Sequence, residues 1–237
     1  LRSCYKIQFG EIDLSTFPLF SLFGVGIGMT SILPQMDFTR PAKVDPEKIL
    51  NTITQYKVTS GFGSPALWDT ISRYCISNNQ HLPSLNRILM AGAPIPGSLI
   101  ERFDHILTPK AKIHTPYGAT EALPVATIER QEILEETLKK SQQGYGVCVG
   151  HTVPGIELKI IAIIDDSIPD WGDSIELTHG EIGEIVVKGP WVTQSYFNLN
   201  EATRLAKIKD HGNALWHRMG DVGYLDDKNR LWFCGRK

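Results

Sequence analysis

The pattern of apolar and polar positions predicts alternating helices and strands between residues 44 and 121. In 44–57 and 63–75, apolar residues recur every three or four positions, which predicts one amphipathic helix in each segment. Asp45 and Ser64, each followed directly by proline, are the predicted N-caps. The predicted strands cover 57–63, 87–94 and 111–121. Alternation of this kind is typical of βαβ units, so the fold class is α/β with a parallel sheet and flanking helices.

Three glycine-containing loops follow those strands, with the sequences "GFGSP", "MAGAPIP" and "TPYGATE". Right-handed crossovers place the carboxyl ends of successive parallel strands on one edge of the sheet. Ligands of open parallel sheets bind at that edge. We therefore expect a small-molecule site formed by these loops.

The second part of the chain has a different pattern. A charged amphipathic helix is predicted over 129–144, and short strands separated by turns follow it to the end of the chain. We therefore predict two subdomains, an α/β subdomain at 1–143 and a small β-barrel-like subdomain at 144–237. The apolar stretch 14–33 is interrupted by Pro18 and by glycines, which favours a buried strand and a glycine-rich helix over a membrane span.

Charge and cysteine content narrow the classes of partner. The 24 basic and 26 acidic residues give a formal charge of -2, which does not favour binding to nucleic acid or to an anionic membrane. The four cysteines are scattered and form no Cys-x-x-Cys pair, which favours a reducing, cytoplasmic location. The chain starts at Leu1 and not at a methionine, and its first residues have the pattern of a folded segment, so we expect an excerpt of a longer protein.

Two acidic positions carry the candidate chemistry. In 115–123, Gly118 lets a ligand approach the backbone, Thr120 offers a hydroxyl, and Glu121 offers a hard oxygen suited to Mg²⁺ near phosphate. Asp221 lies between nearby glycines that leave its carboxylate approachable. For both positions an ordinary turn is the alternative interpretation.

Four stretches, in this order, resemble motifs of the adenylate-forming superfamily, which includes acyl-CoA synthetases, luciferases and peptide-synthetase adenylation domains. They are "AGAPIP", "YGATE", "GEIGEIVVKGPWVTQSYFNLNEAT" and "MGDVGYLDDKNRLWFCGR". The resemblance covers nearly the whole chain and implies a carboxylate that attacks the α-phosphorus of ATP. The products are an acyl-adenylate and pyrophosphate.

The resemblance also implies residue roles, with ATP as substrate and Mg²⁺ as cofactor. Thr120 would bond the α-phosphate and Glu121 would hold Mg²⁺, so these two are the implied catalytic residues. Asp221 would accept hydrogen bonds from the ribose hydroxyls. The remaining residues of the implied nucleotide site are Gly92, Ala93, Pro94, Tyr117, Gly118, Ala119, Phe233 and Arg236.

Family members also contain a phosphate-binding loop and a mobile carboxyl-terminal domain with a catalytic lysine. By the resemblance, the loop should lie before Leu1 and the domain after Lys237, and both would be partners of this segment. We therefore expect this chain alone to bind nucleotide weakly and not to catalyse adenylation.

One departure from the family pattern concerns the acyl site, where Ser21 stands in place of a common histidine and Phe23 follows it. The amino-acid sequence of several stretches most resembles the β-lactone synthetases of long-chain olefin biosynthesis. This resemblance implies a β-hydroxy fatty acid as substrate. A fatty-acid-CoA ligase, which would use coenzyme A, is the alternative. A noncatalytic nucleotide-binding relative is the alternative from another class.

Overall fold

The computed structural model describes residues 1–237, apart from the side chain of Asn213. The chain divides into two compact units, and the division does not follow a single cut. Unit 1 comprises Leu1–Thr115 and Glu129–Leu134. Unit 2 comprises Pro116–Ile128 and Glu135–Lys237. The subdomain boundary expected between 143 and 144 stays a prediction.

Unit 1 contains the predicted parallel sheet, with strand order β2-β1-β3-β4-β5. The strands are β1 (Ile12–Ser15), β2 (Thr30–Ile32), β3 (Ser60–Gly63), β4 (Arg87–Met90) and β5 (Lys112–Ala119). Residues 116–119 of β5 belong to unit 2. All four neighbouring pairs are parallel. The register aligns Gly61 with Ile88 and Ile88 with Ile113. The α/β fold class is thereby confirmed.

The helices of unit 1 are α1 (Arg2–Tyr5), α2 (Pro18–Gly26), α3 (Pro46–Tyr56), α4 (Pro65–Ser77), α5 (Gly97–Arg102) and α6 (Arg130–Glu132), with 3-10 turns at Pro41–Lys43 and Phe103–His105. Two of these helices, α3 and α4, begin where the cap signals predict. The side chain of Asp45 accepts a hydrogen bond from the Glu47 amide, and Ser64 accepts one from the Leu67 amide. Each cap satisfies an amide that the helix leaves without an internal partner.

The apolar stretch 14–33 contains the end of β1, all of α2 and β2. Strand β1 and helix α2 correspond to the predicted strand and glycine-rich helix. Leu14 on β1 is fully buried, whereas Leu19 and Leu22 on α2 are exposed. Within this stretch, strand β1 is therefore buried, whereas helix α2 is largely exposed. No helix in the described part of the chain has the length and apolar character needed to cross a membrane.

Unit 2 is built on an antiparallel sheet with strand order β6-β7-β12-β11-β9-β8, and β10 pairs with β11. Its strands are β6 (Ala122–Glu129), β7 (Val147–Thr152), β8 (Glu157–Ile161), β9 (Gly183–Lys188), β10 (Lys207–Lys209), β11 (Leu215–Leu225) and β12 (Arg230–Arg236). Its helices are α7 (Leu138–Gln142) and α8 (Asn200–Ala206). Pairings among the described strands form an open path, so the barrel-like expectation is corrected to an open sheet.

Two local features differ from the sequence expectations. The helix expected over 129–144 is divided into α6, a π-helical turn at Ile133–Thr137, and α7. Strand β6 was not predicted, because Pro124 lies within its apolar run and proline argues against a strand interior. The chain reverses direction between β5 and β6 in a two-residue turn formed by Thr120 and Glu121.

Candidate nucleotide site

The turn between β5 and β6 presents the two residues proposed for phosphate and metal. Thr120 is exposed, and Glu121 is partly exposed. Gly118 precedes them, and a Cβ at this position would clash with the backbone carbonyl of Ala122. The glycine is therefore required by the return of the chain itself, whatever ligand approaches it.

Two side chains, those of Tyr117 and Arg236, donate hydrogen bonds to the Asp221 carboxylate. The hydroxyl of Tyr117 donates to Asp221 Oδ2 at 2.5 Å, across 104 positions of sequence. Arg236 Nη1 donates to Asp221 Oδ1 at 2.6 Å. The Tyr117 ring centroid lies 6.1 Å from that of Phe233. These four residues, all of unit 2, form one cluster.

The environment of this cluster differs sharply from one member to another. The Asp221 side chain is 7% exposed, whereas that of Arg236 is 71% exposed. Burial and the hydrogen bond to Asp221 raise the pKa of Tyr117, so its phenol stays a protonated donor at neutral pH. The interpretation of Asp221 as a solvated turn residue is wrong, because it is a buried residue of β11.

The hairpin of β11 and β12 explains why Asp221 and Arg236 meet. The two residues are direct cross-strand partners in its register. Asp226 fixes the turn by accepting hydrogen bonds from the backbone amides of Lys228 and Arg230. Gly220 adopts φ 65°, which directs the chain into Asp221 through a conformation that other residues rarely adopt.

A buried ion pair anchors β11 just before Asp221. Arg218 donates to both carboxylate oxygens of Glu184 and to the carbonyl of Asp166 at 2.7 Å. It also donates to the carbonyls of Leu205 and Ile164. Charges removed from water require this degree of hydrogen bonding. The strand that carries Asp221 is thus fixed three residues upstream.

Glu121 is held at its backbone and at its side chain by one segment of unit 2. The Thr193 amide donates to the Glu121 carbonyl at 2.9 Å. The Tyr196 hydroxyl donates to Glu121 Oε1 at 2.7 Å. The hydrogen bond from Tyr196 lowers the pKa of Glu121, so its carboxylate is ionised at neutral pH.

The donor chemistry at Glu121 fits Mg²⁺. No group of three or more His, Cys, Asp or Glu side chains suited to a metal occurs among the residues that the structure describes. Mg²⁺ usually keeps several waters and binds one or two carboxylates together with substrate phosphates. A single ionised carboxylate beside the exposed Thr120 hydroxyl meets that requirement.

Two buried side chains, those of Lys207 and His217, lie close enough to Glu121 to interact with its charge. Burial lowers the pKa of Lys207 to about 8, and its ammonium group donates to the carbonyl and hydroxyl of Thr193. Burial and Lys207 lower the pKa of His217 to about 4, so its ring is neutral at neutral pH. The ring nitrogen Nδ1 lies 3.2 Å from the Ala206 carbonyl, which fixes the proton on Nδ1.

Unit 1 contains five of the candidate residues, three after β4 and two on α2. Gly92, Ala93 and Pro94 follow β4 and are exposed, and Gly92 adopts φ 96°. Ser21 and Phe23 lie on α2, where the Ser21 hydroxyl donates to the Pro18 carbonyl at 2.6 Å and Phe23 is 52% exposed. Their nucleotide and acyl roles stay predictions, as do those of Gly118 and Ala119.

Sequence reasoning missed Tyr196, Lys207 and His217. All three lie between residues 189 and 217, where no motif-like pairing with 120–121 is visible in the sequence. The one available signal was the presence of Tyr196 within the third resembling stretch, "GEIGEIVVKGPWVTQSYFNLNEAT". Its contact with Glu121 spans 75 positions, so only the fold reveals it.

Sequence and structure comparisons show the family to which the chain belongs. Residues 4–197 match the AMP-binding enzyme family, and the chain belongs to that family. The whole chain is 46% identical to an olefin beta-lactone synthetase of Xanthomonas campestris pv. campestris and 45% identical to one of Stenotrophomonas maltophilia. It spans 42% and 43% of the length of those two proteins.

A solved structure shows the same fold. O-succinylbenzoate coenzyme A synthetase from Bacillus subtilis, in complex with ATP and magnesium ion, matches with a TM-score of 0.75 and 26% identity. The match covers 99% of this chain and 44% of that chain. The resemblance to an adenylate-forming family is thereby confirmed.

Proposed function

We propose that the full-length protein containing this chain activates a long-chain β-hydroxy fatty acid with ATP. The carboxylate of the acid attacks the α-phosphorus, giving an acyl-adenylate and pyrophosphate. The hydroxyl of the same acid then attacks the acyl carbon, which breaks the bond to the phosphate, releases AMP and a proton, and closes a β-lactone. The observation that carries this proposal is the buried Asp221 carboxylate, held between Tyr117 and Arg236 in a chain of the AMP-binding enzyme family.

The arrangement of unit 2 suits a nucleotide that is bound and oriented by side chains. Each Asp221 oxygen has lone pairs beyond those used by Tyr117 and Arg236, so the carboxylate can also accept hydrogen bonds from ribose hydroxyls. The exposed Arg236 guanidinium supplies positive charge near that position. The Phe233 ring adds an apolar surface for the base.

The chemistry requires positioning and charge neutralisation more than a general base, because a fatty acid carboxylate is already an ionised nucleophile. Glu121 would hold Mg²⁺, which neutralises negative charge on the phosphates when it is bound. The Thr120 hydroxyl at the same turn would donate to the α-phosphate. The site thus needs no histidine or cysteine nucleophile.

Lactone formation is favoured over transfer to coenzyme A by the 46% and 45% identity to the two olefin beta-lactone synthetases. A hydroxyl on the substrate itself has a high effective concentration and needs no second substrate. Coenzyme A ligation is the second candidate, because the matching solved structure is a coenzyme A synthetase.

The test supplies the full-length protein with ATP, Mg²⁺ and a long-chain β-hydroxy acid, with and without coenzyme A. We expect acid-dependent exchange of pyrophosphate into ATP, and a β-lactone detected by mass spectrometry without coenzyme A. AMP release that requires coenzyme A would refute lactone formation. Nucleotide binding without any acid-dependent exchange would instead indicate a noncatalytic relative.

A further inference from the structure

We infer that Tyr196 is a positioning residue for the metal-binding carboxylate of Glu121. Its hydroxyl donates to Glu121 Oε1 at 2.7 Å and so selects one orientation of the carboxylate. The inference rests on the proposed function, because it takes Glu121 as the residue that holds Mg²⁺. It assigns a role to a residue outside the turn that carries Glu121.

The segment that carries Tyr196 is itself fixed at several points. The Tyr196 amide donates to the Thr203 hydroxyl at 3.0 Å, which ties the segment to α8. The Thr193 amide donates to the Glu121 carbonyl at 2.9 Å. Lys207 on β10 donates to the carbonyl and hydroxyl of Thr193. One anchored segment therefore holds both the backbone carbonyl and the side-chain carboxylate of Glu121.

The chemical type of the donor matters for a carboxylate that must also bind a cation. A phenol hydroxyl is neutral, so it orients Glu121 without cancelling the negative charge that attracts Mg²⁺. A carboxylate has about four lone-pair sites, and Tyr196 uses one of them. The nearby ammonium group of Lys207 donates to Thr193 and thereby strengthens the segment.

Partners that orient a metal ligand change metal affinity by about 10- to 100-fold when they are removed. Tyr196→Phe removes the hydroxyl and keeps the ring, so we expect a loss of this size in Mg²⁺ affinity. Mg²⁺ binds such sites together with substrate phosphates, so the loss applies to the nucleotide-bound protein. Since the coupling between the two ligands is reciprocal, the same factor appears in the gain of nucleotide affinity that Mg²⁺ produces.

The experiment measures that gain in the full-length protein by titration calorimetry with α,β-methylene ATP, once with Mg²⁺ and once with EDTA. Tyr196→Phe should reduce the gain by about 10- to 100-fold and leave the affinity in EDTA unchanged. Tyr56→Phe is the matched control, since Tyr56 is an exposed residue of α3 in unit 1, and it should behave as wild type.

Glu121→Gln separates this inference from the proposed function. If Glu121→Gln loses the gain and Tyr196→Phe retains it, the inference fails and the metal site stands. If Glu121→Gln retains the gain, both the metal role and the inference fail. If wild type binds no nucleotide, the proposed function fails.

The double variant Tyr196→Phe/Glu121→Gln protects the test against an effect on folding. If Tyr196 acts through Glu121, the double variant should show the same gain as Glu121→Gln alone. A further loss of affinity, equal in Mg²⁺ and EDTA and accompanied by a lower unfolding temperature, would show a structural role and would overturn the inference.

Discussion

The two partners of Asp221 should contribute very unequally to stability, although their hydrogen bonds have nearly equal lengths. Tyr117 donates at 2.5 Å and Arg236 at 2.6 Å. A hydrogen bond to a charged group contributes ~1.5–3 kcal/mol. An ion pair in contact with solvent contributes ~0–1 kcal/mol, because water screens the charges and a long side chain is immobilised. The 71% exposure of the Arg236 side chain places its pair in the second class.

We therefore expect Tyr117→Phe to lower the free energy of unfolding by ~1.5–3 kcal/mol and Arg236→Met to lower it by ~1 kcal/mol or less. The difference arises because loss of the phenol removes a partner from a carboxylate that is only 7% exposed. Water cannot easily replace that partner. In Arg236→Met, by contrast, the lost guanidinium belongs to a side chain that is 71% exposed, so water can take its place beside Asp221 Oδ1.

Urea unfolding of the full-length protein, followed by tryptophan fluorescence, gives both values from midpoints at constant slope. A double-mutant cycle of Tyr117→Phe with Asp221→Asn isolates the pair and should give a coupling within the 0.5–3 kcal/mol range typical of contacting residues. Equal losses for Tyr117→Phe and Arg236→Met, or a larger loss for Arg236→Met, would refute the argument from burial.

Three further predictions concern function and pH. Glu121→Ala should abolish most acid-dependent pyrophosphate exchange in the full-length protein, because it removes the proposed Mg²⁺ ligand; unchanged exchange would exclude that role. Asp221→Ala should weaken nucleotide binding by ~1.5–3 kcal/mol in calorimetry, and wild-type affinity would leave Asp221 a structural residue. In unit 1, burial raises the pKa of Asp13 from 3.8 to about 6, against the hydrogen bond from Ser15. The folded state therefore disfavours the ionised form, so stability should fall by ~3 kcal/mol as pH rises from about 4 to about 6. Asp13→Asn should remove this slope in urea unfolding at pH 4.5 and 7, and a retained slope would contradict the assignment.

Local signals were sufficient wherever a structure depends on neighbouring residues. The caps at Asp45 and Ser64 are decided within three positions, and both form as predicted. The hairpin that aligns Asp221 with Arg236 spans 15 positions and follows from its turn residues. Apolar period predicted α3 and α4 for the same reason.

Elements that depend on competition between local and distant contacts were not predictable. Strand β6 carries the apolar residues of a strand, but Pro124 within them argues against one, so the return of the chain at Thr120 and Glu121 becomes visible only in the fold. The π-helical turn at Ile133–Thr137 interrupts a segment whose sequence favours a continuous helix. The open sheet of unit 2 has the same strand pattern as a small barrel, because turn-separated strands alone do not define closure.

The candidate site shows the same division between residues that bear chemistry and residues that orient it. Local sequence offered Glu121 and Asp221 as candidates, with an ordinary turn as the alternative for each, and the resemblance to adenylate-forming motifs implied their roles. Tyr196 and Tyr117 hold those carboxylates across 75 and 104 positions, in roles that depend on which segments the fold brings together. A sequence motif can therefore name the acids of this site, whereas the hydroxyls that fix their orientation follow only from the packing of unit 2.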